Sequence, residues 1–154
     1  MKRKREKCTT LRKESSNAIN NNTMQFRENL PEQCPPAEAR CPKSGELVYR
    51  LGHNSNGYSD DDFLSHWQLN PGKHGSYSTR PGECQAKSLS IFLKEADVIQ
   101  ARKLPTLKRM QSILRIKLDP TDGQLMQTSR PSHHSLWLSC TFDPGKANIL
   151  VTPL

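Results

Sequence analysis

The chain has 154 residues, of which only 33% are hydrophobic, with a mean hydropathy of -0.79 and a formal net charge of +8. A length of this order allows one domain. No apolar run reaches the roughly 18 residues of a membrane helix, and the basic start is followed by Thr, Ser and Asn, unlike the apolar stretch of a signal peptide. The five cysteines form an odd count with no even framework, which points to reduced thiols and a cytoplasmic protein without a membrane partner.

Polarity is uneven along the chain. Residues 1 to 44 carry ten Lys/Arg against five Asp/Glu, so +5 of the charge sits there, together with Pro31, Pro35, Pro36 and Pro42. Such a segment buries too little apolar surface to offset its ordering entropy, which predicts a disordered basic arm and linker over 1–44 and a single domain over 45–154. Within the arm, Met24, Phe26 and Leu30 offer only poor helical spacing between Thr23 and Leu30.

The first strand is read at Glu46 to Leu51, closed by Gly52. Ser59 before Asp60, Asp61 and Asp62 has the chemistry of a helix start, since the hydroxyl accepts backbone N–H groups and carboxylates favour the positive end of the dipole. That helix should bury Phe63, Leu64 and Trp67 and stop before Asn70-Pro71-Gly72. Gly72 to Gly82 reads as a polar loop. A strand follows at Ser88 to Phe92, then a helix from Leu93 to Leu104 with Ala96 and Ile99 on its inner side and Lys103 or Leu104 completing it. Ser112 to Leu118 is the strongest strand, and the Asp119 to Gly123 turn predicts that Gln124 to Thr128 pairs back onto it as a hairpin. Ser135 to Cys140 and Asn148 to Thr152 complete the pattern. The expected fold is α+β: a small, mostly antiparallel sheet of about five strands with two helices packed on one face.

Several residues could carry function. Adjacent His133 and His134 beside Trp137 supply imidazoles that titrate near neutrality; on an extended segment one faces the core and the other solvent or a cleft. Arg102, Lys103, Lys108, Arg109, Arg115 and Lys117 fall in sixteen positions without an acid, a stripe that suits phosphates and shares the character of Lys2, Arg3, Lys4 and Arg5. Few aromatics stand near it, so the nucleic-acid reading is one of non-specific backbone contact. No cysteine or histidine spacing fits a metal, and no nucleotide-binding glycine loop or hydrolase elbow is present.

The order Val48-Tyr49-Arg50, Asp61-Asp62-Phe63-Leu64, Leu89-Ser90-Ile91-Phe92 and Ser132-His133-His134 with Trp137 resembles a family of small bacterial proteins ending in a His-His-x-x-Trp motif, over about residues 46 to 140. That resemblance implies a domain boundary and little chemistry. A second similarity is to RES-type ADP-ribosyltransferase-like toxins, whose Tyr-Arg strand and Ser/Tyr-rich loop followed by Glu line an NAD cleft. It implies Tyr49-Arg50, Ser76-Tyr77-Ser78 and Glu83 in those places, with Arg50 gripping phosphate and Glu83 as the catalytic carboxylate.

Three readings follow. The first is a binding module whose ligand or protein partner sits near Tyr49, Arg50, Tyr77, His133, His134 and Trp137, with the basic arm adding affinity for an anionic surface. The second is an NAD-using enzyme in which Arg50, Glu83, His133 and His134 converge. The third is a nucleic-acid binder using Lys2, Arg3, Lys4, Arg5, Lys108 and Arg109.

Overall fold

The computed structural model describes residues 24–77, 82–128 and 131–150. Six strands run in the order β1 (Glu46–Gly52), β2 (Leu89–Phe92), β3 (Ser112–Leu118), β4 (Gly123–Gln127), β5 (His133–Leu138) and β6 (Ala147–Leu150). Three α-helices, α1 (His66–Leu69), α2 (Gly82–Ala86) and α3 (Glu95–Arg102), are joined by 3-10 turns at Asp60–Phe63, Pro71–Tyr77, Pro105–Leu107 and Pro144–Lys146. The α+β expectation holds, with one strand more than expected. The strands form one sheet in the order β4-β5-β2-β1-β3-β6, and each pairing is antiparallel.

A short link makes this sheet curl. Between β3 and β4 lie four inter-strand gaps, roughly 19 Å if the sheet were flat at about 4.8 Å per gap. The link is instead a tight turn, closed by Asp122 N–H donating to Asp119 O at 3.0 Å, which holds its ends within about 7 Å. The sheet must bend until β4 comes round to β3. Leu118 and Leu125 accordingly share one core with Val48, Ile91, Leu114, Ile116, Leu136 and Phe142 on the concave face.

The expected hairpin of 112–118 with 124–128 therefore does not form. β4 pairs with β5, and β3 lies between β1 and β6. Turn chemistry identified the reversal but not the partner, which is set by how the curled sheet closes. Gly123 is required there, because a Cβ would collide with the Trp137 carbonyl. The turn is bolted on both sides: Ser139 N–H donates to Asp122 O at 2.9 Å, and Lys146, just before β6, reaches Asp119 at 3.0 Å and the buried Asp122 at 2.8 Å.

On the convex face Tyr49, Leu51 and Ile113 are covered by Val98 of α3, with Phe92, Ile99, Leu107, Met110 and Leu150 packed around them. The buried side of α3 is Val98 and Ala101; Ala96 and Lys103 are exposed, and Leu104 is 45% exposed, which corrects the predicted inner face. The helix runs over Glu95–Arg102, where eight residues seat only Val98 and Ala101 deeply. The helix expected from Ser59 is likewise divided. A 3-10 turn over Asp60–Phe63 and a four-residue α1 have separate caps, with Ser65 Oγ accepting from Gln68 N–H at 3.3 Å. The loop of 72–82 includes the 3-10 turn Pro71–Tyr77 and the start of α2.

The boundary expected at residue 45 also moves. Residues 24–44 lie on the domain: Phe26 bridges Ser139, Arg40 bridges Leu125, and Cys34 is disulfide-bonded to Cys84. Phe26 is thus held in an extended bridge and not in a helix, and the prolines of this stretch suit a strap tied at separate points. Residues 1–23 lie outside the described residues. The disulfide also corrects the expectation of reduced thiols; Cys140 is disulfide-bonded as well, and Cys41 is a free, exposed cysteine. Among the described residues no helix is long and apolar enough to cross a membrane.

Cys34 and Cys84 are 50 positions apart, so the bond removes much chain entropy from the unfolded state. Cys84→Ala should lower stability by about 2–4 kcal/mol in urea unfolding, and a thiol reductant should lower that of the wild type by at least as much, since it also breaks the Cys140 bond. Equal midpoints with and without reductant would show that the strap is held without the bond.

Candidate functional site

The concave face gathers part of the predicted site. Arg50 pairs with Leu114 across β1 and β3, Ile91 pairs with His134 across β2 and β5, and Tyr49 pairs with Phe92, which sets Arg50 beside Ile91. Arg50 and His134 therefore stand in one row on one face with Ile91 between them, roughly 10 Å apart at the backbone.

Both side chains are fixed by backbone carbonyls. Arg50 donates from Nε to Asp62 O at 2.6 Å and from Nη1 to Ser90 O at 2.7 Å, which ties β1 to the 3-10 turn and to β2. Its Nη2 makes no hydrogen bond among the described residues. Burial lowers the Arg50 pKa to about 10, against the opposing pull of Asp62, so the guanidinium stays charged at neutral pH. His134 is buried, and its Nδ1 lies 3.0 Å from Ser132 O. A carbonyl only accepts, so Nδ1 carries the hydrogen and Nε2 is the nitrogen left to receive or return a proton.

A charged shell surrounds Arg50. The fully buried Asp62 accepts from Ser59 N–H at 2.8 Å and from His53 N–H at 2.9 Å, and it also binds the His53 ring. Asp62 is a first-turn acid as expected, closing a capping box with Ser59, and it also binds His53 across the 53–62 loop. The His66 pKa is lowered by burial first and then by the positive charges of Arg50 and Lys73. An anion resting among Arg50, His66 and Lys73 would relieve that repulsion.

The other predicted residues lie elsewhere. His133 is on the convex face, edge-on to Phe92 with ring centroids 5.2 Å apart, and its ring and carbonyl engage the Thr128 hydroxyl. Strand alternation separates the two histidines. Tyr49 is buried on the convex side. Trp137 is buried, and its Nε1 donates to Cys84 O at 2.9 Å, tying β5 to α2. Glu83 pairs with Lys87 at 3.1 Å along α2, and no contact brings it to Arg50. Tyr77 lies 6.1 Å from Trp67, which stacks on His74 at 3.6 Å with Lys87 above it at 4.6 Å. Lys108 and Arg109 are exposed after the third 3-10 turn. Lys2, Arg3, Lys4, Arg5 and Ser78 lie outside the described residues. No group of three or more His, Cys, Asp or Glu among the described residues is placed to hold a metal ion.

One carboxyl escaped the sequence reading because its segment was taken for linker. A small cleft, partly open to solvent, is lined by Phe26, Glu28, Phe63, Gln68, Lys87 and Leu138 among others. Ser65 Oγ donates to Glu28 Oε1 at 2.9 Å. Burial raises the Glu28 pKa to about 7, outweighing the lowering effects of the Ser65 bond and Lys87.

No protein-family model, curated protein or solved structure matches the chain. The functional reading therefore rests on the geometry of the row and its shell.

The raised Glu28 pKa has a definite sign. The folded state keeps a proton that the unfolded chain releases, so this contribution is complete below about pH 4.5 and is lost as pH rises through about 7. After allowance for solvent screening the loss is of order 1 kcal/mol. Glu28→Gln should match the wild type in urea at pH 4 and exceed it at pH 8; parallel pH profiles for the two proteins would contradict the assignment.

Proposed function

We propose that the protein binds an anionic, phosphate-bearing small molecule on the concave face at Arg50, with His134 across Ile91 as the group able to exchange a proton with it. The observation that carries this reading is the state of the Arg50 guanidinium. Two of its nitrogens are fixed on the carbonyls of Asp62 and Ser90, and the third makes no hydrogen bond among the described residues. A donor held in this way loses little entropy on binding, and a charged hydrogen bond is stronger than a neutral one. The His66 pKa, lowered chiefly by burial, is lowered further by the positive charges of Arg50 and Lys73.

An NAD-using transferase is the second reading. It is favoured by the shared row of Arg50 and His134, which would put a phosphate anchor and a base on one bound molecule. It differs from the RES-like expectation in its carboxylate, since Glu83 is engaged with Lys87. His133, Tyr49 and Trp137 do not enter either reading, because they serve the convex face and the strap. The disulfide-bonded Cys34, Cys84 and Cys140 favour maturation in an oxidising compartment over the cytoplasm.

Calorimetric titration of the full chain with ADP, NAD and inorganic phosphate tests the proposal. ADP and NAD should bind saturably, and Arg50→Lys, which keeps the charge but not the three-sided donor set, should weaken them about tenfold or more. His134→Gln should leave ADP affinity within a few-fold, since His134 is assigned to proton exchange. Absence of heat with all three ligands at millimolar concentration, on the order of the weakest affinity worth assigning, would refute the reading.

A further inference from the structure

The convex face carries a basic strip that the Arg50 site does not use. Along β3 the outward positions are Arg115 and Lys117, both exposed, with Tyr49 and Leu47 opposite them on β1. On the far side of Arg115 lies Asn148 of β6, a short side chain that leaves the strip uncovered. Leu107 and Met110 pack into the same convex cluster as Tyr49 and Ile113, so the exposed Lys108 and Arg109 between them are brought to the strip's end. Arg102 fixes that corner by donating from Nε to Met110 O at 3.1 Å and from Nη2 to Gln111 O at 2.9 Å.

None of the four cations is ion-paired among the described residues. Asp119, the acid that Lys117 influences, is already held by Lys146. Four like charges on one exposed face raise the local positive potential and attract polyanions. The strip's form indicates which polyanion. Leu47 on β1 and Leu104 after α3 are exposed, each as a single apolar side chain on a separate element. They make no continuous apolar patch for insertion into lipid. No tryptophan or phenylalanine is exposed among the cations to stack on bases, which leaves backbone phosphates as the feature the strip can read.

We infer that Lys108, Arg109, Arg115 and Lys117 form a docking strip for the phosphate backbone of nucleic acid, independent of sequence and separate from the Arg50 site. Affinity comes from counterion release as each cation meets a phosphate. The basic residues before Met24 add to this attraction, but the strip itself positions the strand on the convex face.

Fluorescence anisotropy of the full chain with a labelled 20-base-pair DNA duplex, followed between 50 and 200 mM salt, tests the inference. Binding should weaken steeply with salt, and replacing Lys108, Arg109, Arg115 and Lys117 with Ala should reduce the log-log salt slope by about 0.9 per contacted cation. At 100 mM salt that variant should bind at least about tenfold more weakly, while circular dichroism stays unchanged because all four side chains are exposed. Replacing Lys2, Arg3, Lys4 and Arg5 should leave most of the affinity in place. Unaltered binding by the strip variant, loss of binding on the arm substitutions alone, or binding to phosphatidylserine vesicles without binding to the duplex would each overturn the inference.

Discussion

The guanidinium of Arg50 joins three parts of the molecule. It grows from β1, takes the carbonyl of Asp62 in the 3-10 turn and takes the carbonyl of Ser90 in β2. A cation in a largely apolar setting is costly, and here two short charge-assisted bonds with the nearby buried Asp62 offset the cost. The same bonds explain the site's rigidity. A group that could swing freely would hydrogen-bond wherever it found acceptors, whereas this one is held in one orientation by two carbonyls.

The curl of the sheet determines what stands beside that guanidinium. A four-residue link brings β4 round to β3, so the concave face closes over a leucine-rich core that includes Ile91, with Arg50 and His134 on either side of it. The closure depends on polar residues as much as on apolar ones. Asp122 is buried with its carboxylate on Lys146 and on Asp119 N–H, and a buried acid without such partners would be strongly destabilising. The strap of residues 24–44 completes the cover from outside through Cys34, Arg40 and Phe26.

Much of this was legible in the chain. The strands at 46–52, 89–92 and 112–118 follow from alternating or continuous apolar residues, and the His133-His134 pair shows its division between faces once the segment is read as extended. What was not legible depends on partners distant in sequence. Period-two logic cannot say that β4 pairs with β5, because Gln124 to Gln127 would alternate equally well against β3. Asp62 has the composition of a helix-start acid, and its burial becomes necessary only when His53 and Arg50 are folded onto it. The strap escaped sequence prediction for a different reason: it is held by contacts distant in sequence, namely a disulfide, two isolated bridges and hydrogen bonds such as Ser65 to Glu28 and Lys87 to Asn29 O.

The row of Arg50 and His134 is the central claim, and side-chain NMR addresses it directly. In protein labelled with nitrogen-15, the Arg50 Nε–H and the His134 ring nitrogens would be followed as ADP is added. Both should shift along one saturation curve, with the His134 change centred on Nε2 because Nδ1 is held by Ser132 O. Shifts confined to Lys108 and Arg109, or the absence of any shift at millimolar ADP, on the order of the weakest affinity worth assigning, would contradict the account.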